Sequence, residues 1–156
     1  MPASSGSARG GGWVVGQFAL MAAALAGGFV GAWPGEVAGA FGVAGTVLAV
    51  AGGLLALWSA RALGSSLTWY PRPRGRGSLV ESGPYRFARH PIYTGGILFF
   101  VGWGLWSSPL ALGLAVALSV LWAFKARVEE RLLGERYPGY GDYRRRTAWR
   151  LVPGIY

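Results

Sequence analysis

The chain has 156 residues, 53% of them hydrophobic, with no cysteine, one histidine and a net charge of +9. Without cysteine there are no disulfides, thiolate nucleophiles or Cys-bound metal centres, and one histidine cannot build an H-E-x-x-H pair or a multi-histidine site, so no metal site is expected. Long uninterrupted apolar runs place the chain in the membrane class. The arginines flank those runs and belong to no nucleic-acid-binding motif, so the positive charge reads as a face against anionic lipid and not as a nucleic-acid surface.

In chain order, residues 1–12 are rich in Ser, Gly and Ala and read as a flexible tail, and residues 13–156 as one domain. Trp13 to Trp33 is apolar except for Gln17, is long enough to cross a bilayer, and has tryptophan at both ends, as an interfacial belt would. Trp33-Pro34-Gly35-Glu36 is a tight break, and Val37 to Leu63 is a second span ending near Arg61. Gly27, Gly31, Gly35 and Gly39 recur every four residues, a spacing that would let helices approach closely. Gly64 to Arg89, with Pro71, Pro73 and Pro84 and several arginines, reads as a polar connection.

The apolar run from Ile92 to Phe124 is too long for one span and short for two. Ser107-Ser108-Pro109 near its middle predicts a helical hairpin with legs over 92–106 and 109–124. The second leg is expected to continue into the cytosol as an amphipathic helix from Lys125 to Arg136, with Leu132 and Leu133 on its apolar side. The expected fold is therefore an all-α integral membrane protein with four transmembrane helices and a C-terminal cytoplasmic amphipathic helix. The arginines cluster in Gly64–Arg89 and after the last span, so both termini are expected in the cytoplasm.

That topology brings Gly83–Gly95 and Glu129-Glu130 to the same membrane face. His90-Pro91 stands where the third helix starts, with proline in the first turn and free backbone N–H groups beside it. A ring nitrogen, phenols, guanidiniums and carboxylates together are the inventory that an amino-acid–nucleoside such as S-adenosylmethionine needs. Adjacent glutamates lie about 100° apart on a helix, so one is expected to face the ligand and the other to pair with Arg89, Arg127 or Arg131. Lys125 shares a helix face with Glu129, and Arg127 does not. There is no Rossmann-type glycine loop after a strand.

Leu79-Val80, Ser82-Gly83-Pro84-Tyr85-Arg86, Arg89-His90-Pro91-Ile92-Tyr93-Thr94-Gly95, Glu129-Glu130, then Tyr140, Tyr143 and Arg150-Leu151-Val152-Pro153 together resemble the isoprenylcysteine carboxyl methyltransferase family, which is related to the phospholipid N-methyltransferases. The resemblance covers roughly residues 50 to 156. It implies a membrane methyltransferase that uses S-adenosylmethionine. By that resemblance Leu79, Val80, Tyr85, His90, Pro91, Ile92, Tyr93, Glu129 and Glu130 would bind the cofactor, Glu129 and Arg89 would be catalytic, and Lys125 or Arg127 would meet the substrate. The implied acceptor is lipid-like or a small hydrophobic molecule, an isoprenylcysteine-like carboxylate first, with a phospholipid amine or a small thiol as alternatives. A nicotinamide-dependent membrane reductase and a non-enzymatic membrane scaffold are the rival classes. A bacterial or archaeal cytoplasmic membrane is the expected location, with membrane lipids as neighbours.

Overall fold

A computed structural model describes residues 8–71, 78–151 and 154. The expectations for residues 1–7, for Pro73 and the arginines between 72 and 77, and for Val152-Pro153 lie outside the described residues. The described residues are helical, with no strand: α1 Ala8–Gly27, α2 Gly35–Leu63, short 3-10 turns at Gly64–Ser66 and Gly83–Arg86, α3 Pro91–Ser107, α4 Pro109–Arg136 and α5 Tyr140–Arg146.

Helix α1 begins and ends earlier than the composition suggests. Its first turns take in Gly10 to Gly12, expected as tail, and Gly10 sits against Tyr70 and Pro71. Its end is set by three tightened bonds, Gly28 N–H to Leu25 O, Phe29 N–H to Ala26 O and Val30 N–H to Gly27 O, and by Gly31 at φ 75°. Trp33 therefore does not close the first span. It folds back, its indole N–H donating to Gly104 O at 3.0 Å and its ring meeting Phe41 edge-on.

Both α3 and α4 open on a proline, whose missing N–H is no loss in a first turn. Ser108 makes the turn between them. Its hydroxyl accepts from Ala111 N–H at 3.1 Å, capping α4, and donates to Gly27 O at 2.8 Å, tying the hairpin to α1. Helix α4 runs unbroken through Arg136, so Lys125 to Arg136 continues the second leg as expected and forms well over a third of the helix. The seven residues of α5 follow and bury Tyr140 and Tyr143.

Among the described residues, three helical segments are long and apolar enough to cross a membrane: Gly10–Gly27, Gly35–Ser66 and Pro109–Arg136. Helix α3 has 17 residues and is apolar throughout, about 26 Å at the helical rise. The helices stand in the spatial order α2, α3, α4, α1, so α1 packs on α4 and touches α3, away from its sequence neighbour α2.

The closest approach is between α2 and α3. A Cβ on Gly45 would lie 2.6 Å from Gly102 O, and one on Gly102 would lie 2.4 Å from Ala49 N. A Cβ on Gly52 would lie 2.4 Å from Phe99 N, and one on Gly95 would lie 2.5 Å from Ala56 N. These two reciprocal pairs, one helical heptad apart, hold the backbones together. The expected four-residue series does not do this work. Gly31, Gly35 and Gly39 face open space, and only Gly27 meets a neighbour, at Leu110 and Leu114 of α4. The buried core around Ala24, Phe100, Ala115, Leu118 and Trp122 joins α1, α3 and α4.

After α5 the chain returns to the start of α3. Arg89 N–H donates to Trp149 O and His90 N–H to Arg150 O, each at 2.9 Å, and Thr94 Oγ1 donates to Leu151 O at 2.6 Å. Residues 149–151 thus form a strap across the third helix's first turn.

Candidate functional site

A cavity of about 630 Å³ runs from that first turn into the bundle. The size is ordinary for a small-molecule site. Its polar end carries Tyr85, His90, Tyr93, Lys125, Glu129, Tyr140 and Tyr143, and its apolar end is walled by Met21 and Leu25 of α1, Leu57 of α2, Phe99 and Phe100 of α3 and Trp122 of α4.

Glu129 is the polar end's centre. Its Oε1 accepts from Tyr93 O–H at 2.6 Å and lies 3.8 Å from Lys125 Nζ, and its Oε2 lies 3.6 Å from His90 Nδ1. The rings of His90, Tyr93 and Trp122 are stacked at successive centroid spacings of 5.6 Å, which carries an aromatic wall from the polar end into the bundle. Burial pushes the phenols of Tyr85, Tyr140 and Tyr143 well above their ordinary range, so they act as neutral hydrogen-bonding groups and not as phenolates. Tyr143 O–H is already committed to Tyr85 O at 2.7 Å. The hydroxyls of Tyr85 and Tyr140 are buried without a hydrogen-bond partner among the described residues, while His90 Nε2 lies 3.6 Å from Glu130 Oε1. Buried polar atoms normally have partners, so two orphans around one cavity mark a place where a polar ligand supplies them.

Glu130 turns the other way. Arg89 Nε donates to its Oε1 at 2.7 Å, and Arg150 Nη2 reaches its Oε2 at 2.9 Å. Arg89 also donates through Nη1 to Thr147 O at 2.7 Å and Ala148 O at 2.6 Å. The 100° step between neighbouring helix positions thus divides the acids, Glu129 into the cavity and Glu130 into an ionic cage that anchors the strap.

Of the residues singled out from the sequence, Leu79, Val80, Tyr85, Arg89, His90, Ile92, Tyr93, Lys125 and Glu129 line the cavity. Pro91, Glu130 and Arg127 do not. Pro91 faces a separate apolar crevice with Leu55, Trp58 and Leu151. Glu130 is held in the cage. Arg127 is exposed, with its guanidinium over the Phe124 ring at 5.4 Å, because it lies off the face that Lys125 and Glu129 share.

Sequence reasoning assigned no role to Gln17, although it is buried and its Oε1 accepts from Lys125 Nζ at 2.6 Å. The signal was present: an amide alone in an apolar span is costly unless it has a task. The Trp69 carbonyl, which accepts from Lys125 Nζ at 2.8 Å, carried no such signal.

The sequence can also be set beside known proteins. The cobalt-zinc-cadmium resistance protein CzcN of Cupriavidus metallidurans is 33% identical over 119 residues, 75% of this chain and 50% of that protein. The nickel-cobalt-cadmium resistance protein NccN of Alcaligenes xylosoxydans xylosoxydans is 37% identical over 71 residues, 44% of this chain and 33% of that protein. The chain therefore spans half or less of the length of these curated relatives. The sequence profile of the phospholipid methyltransferase family matches residues 41–139. That match takes in the arginine–histidine–proline turn, Tyr85, Tyr93, Lys125 and both glutamates, and it covers more than half of the chain. On this ground the protein belongs to the phospholipid methyltransferase family of membrane methyltransferases.

Proposed function

We propose that this protein takes a methyl group from S-adenosylmethionine and transfers it to a lipid-like acceptor seated between α1 and α2, and that α3 completes a four-span bundle. One observation carries the reading. A single cavity joins a polar end, where buried groups lack partners, to an apolar corridor between two helices that do not pack on each other. A polar donor and a greasy acceptor need such a joint chamber. The names of the metal-resistance relatives give a setting and not an acceptor.

The residues present fit the methyl donor. The Glu129 carboxylate suits ribose hydroxyls or an ammonium group, and the phenols of Tyr85 and Tyr140 can each meet a polar atom of the nucleoside or amino acid. When bound, S-adenosylmethionine supplies a methyl carbon already activated by a sulfonium. The protein's task is then to align acceptor and methyl and keep water out. The stacked His90–Tyr93–Trp122 wall serves the exclusion. A carboxylate acceptor, the first reading, attacks with its own lone pair and needs no base. An amine would lose its proton to Glu129 or His90, and a thiol would react as thiolate. Arg89, whose guanidinium is bound to Glu130 and two carbonyls, acts as a positioning residue for the His90 turn.

Calorimetric titration of the detergent-purified protein with S-adenosylhomocysteine tests the donor assignment. Glu129→Ala removes one charge-assisted hydrogen bond, so affinity should fall about tenfold to more than a hundredfold. Wild-type affinity in that variant would take Glu129 out of the site. Transfer of labelled methyl to carboxylate, amine and thiol acceptors in turn then identifies the acceptor class.

Orientation has its own check. Gly35 and Gly139 are both exposed, in the α1–α2 turn and before α5. With no native cysteine to interfere, Gly35→Cys should react with an impermeant maleimide in intact cells and Gly139→Cys only after the membrane is opened. The reverse pattern would invert the topology and move the site to the outer face.

A further inference from the structure

Gln17 lies in α1, outside the stretch that matches the family profile, so family membership says nothing of it. It is 3% exposed and lines the cavity where the polar end meets the apolar corridor. Two groups converge on one atom of its amide: Lys125 Nζ at 2.6 Å and Trp122 Nε1 at 3.4 Å. An ammonium and an indole N–H can only donate, so the atom between them must be the amide oxygen. The amide's other end, the NH₂, can likewise only donate. Lys125 is 1% exposed, and a second of its protons goes to Trp69 O. Its third has Glu129 Oε1 no nearer than 3.8 Å.

We propose that Gln17 is the residue that sets acceptor selectivity: it fixes the Lys125 ammonium at the head of the corridor and adds its own amide donor beside it, so that an anionic headgroup is taken and a cationic one refused. This rests on the corridor being the acceptor's seat. The physical ground is that Lys125, Gln17 and Trp122 can offer a ligand there only donors, and a protonated amine has nothing to offer a donor. An anionic oxygen meets both the remaining ammonium proton and the amide N–H, and hydrogen bonds involving a charged group are the stronger class. Gln17 acts partly through Lys125 and is in that sense a positioning residue. A Gln17→Glu substitution keeps the oxygen that holds Lys125, removes the amide donor and adds a negative charge. It separates selectivity from support.

The test uses the full chain in nanodiscs and three single-chain probes, dodecanoate, dodecylamine and dodecanethiol, with binding measured by calorimetry without the methyl donor. The wild type should bind dodecanoate at least about tenfold more tightly than dodecylamine. Gln17→Met should lose about tenfold for dodecanoate, and Gln17→Glu should reverse the order of dodecanoate and dodecylamine. S-adenosylhomocysteine affinity should stay within about twofold in both variants, a result that a merely structural role for Gln17 would not give. Should Gln17→Met fail to fold, Gln17→Glu still decides, since Lys125 keeps its partner. The proposal is overturned if the wild type prefers dodecylamine or dodecanethiol, or if Gln17→Glu leaves the dodecanoate preference unchanged. A wild type that shows the predicted preference and reversal but does not bind S-adenosylhomocysteine would overturn the donor assignment and uphold this one.

Discussion

Arg89→Met is expected to destabilise the protein by about 3–5 kcal/mol, the usual cost of stranding a buried charge by removing its partner. The Arg89 and Glu130 side chains are both about one-twentieth exposed, and the guanidinium closes three separate contacts, to Glu130, Thr147 O and Ala148 O. Removing it leaves Glu130 with Arg150 as its remaining close cation and frees two carbonyls of the chain leading into the strap. Unfolding in mixed detergent micelles should show the loss directly. The double variant Arg89→Met/Glu130→Met should recover part of it, because an apolar pair leaves no unmatched charge. If the single variant is as stable as the wild type, the cage is not what anchors the strap. If instead the single variant folds normally but transfers no methyl group, Arg89 touches the reacting groups after all and is catalytic in its own right.

Gly52→Leu should have a comparable or larger effect. A Cβ at position 52 would sit 2.4 Å from Phe99 N and 2.5 Å from Gly95 O, both backbone atoms that cannot rotate aside. Ordinary overpacking costs about 1–3 kcal/mol, and here relief requires moving a whole helix. Gly95 lies about one turn beyond Pro91, so pushing α3 away from α2 also displaces His90 and Tyr93. The expected result is a protein that is not recovered folded in detergent. Gly39→Ala is the control. It meets nothing within 4 Å, and alanine in a helix is favoured over glycine by about 0.5–1 kcal/mol. Equal behaviour of the two variants would show that the α2–α3 contact is not tight in the membrane.

Much of this was legible in the residues. Apolar run lengths and the Pro34 and Pro109 breaks located α2 and the α3–α4 hairpin within a few residues, because those signals are local. His90, Tyr93 and Glu129 converge as the hairpin geometry required. The packing order α2, α3, α4, α1 was not legible. Membrane helices are apolar on every side, so no stripe marks the face that meets a neighbour. For the same reason the glycines of 27 to 39 looked equivalent to Gly45, Gly52, Gly95 and Gly102, and only the approach of a second backbone separates them. The division between Glu129 and Glu130 was foreseeable as a 100° step, but not its direction, which depends on where Arg89 and Arg150 lie. The bond between Gln17 and Lys125 joins positions more than a hundred residues apart, and no spacing rule reaches that far.

The strap has a consequence for how the protein comes into being. Strand-like pairing between Arg89-His90 and Trp149-Arg150, with Thr94 tied to Leu151, means that the turn carrying His90 is held by a segment made well after both legs of the hairpin. While α3 and α4 enter the bilayer, that turn lacks these backbone partners. It gains them only after residue 151 has left the ribosome and folded back over the third helix. The position of His90 is therefore settled after insertion and not during it.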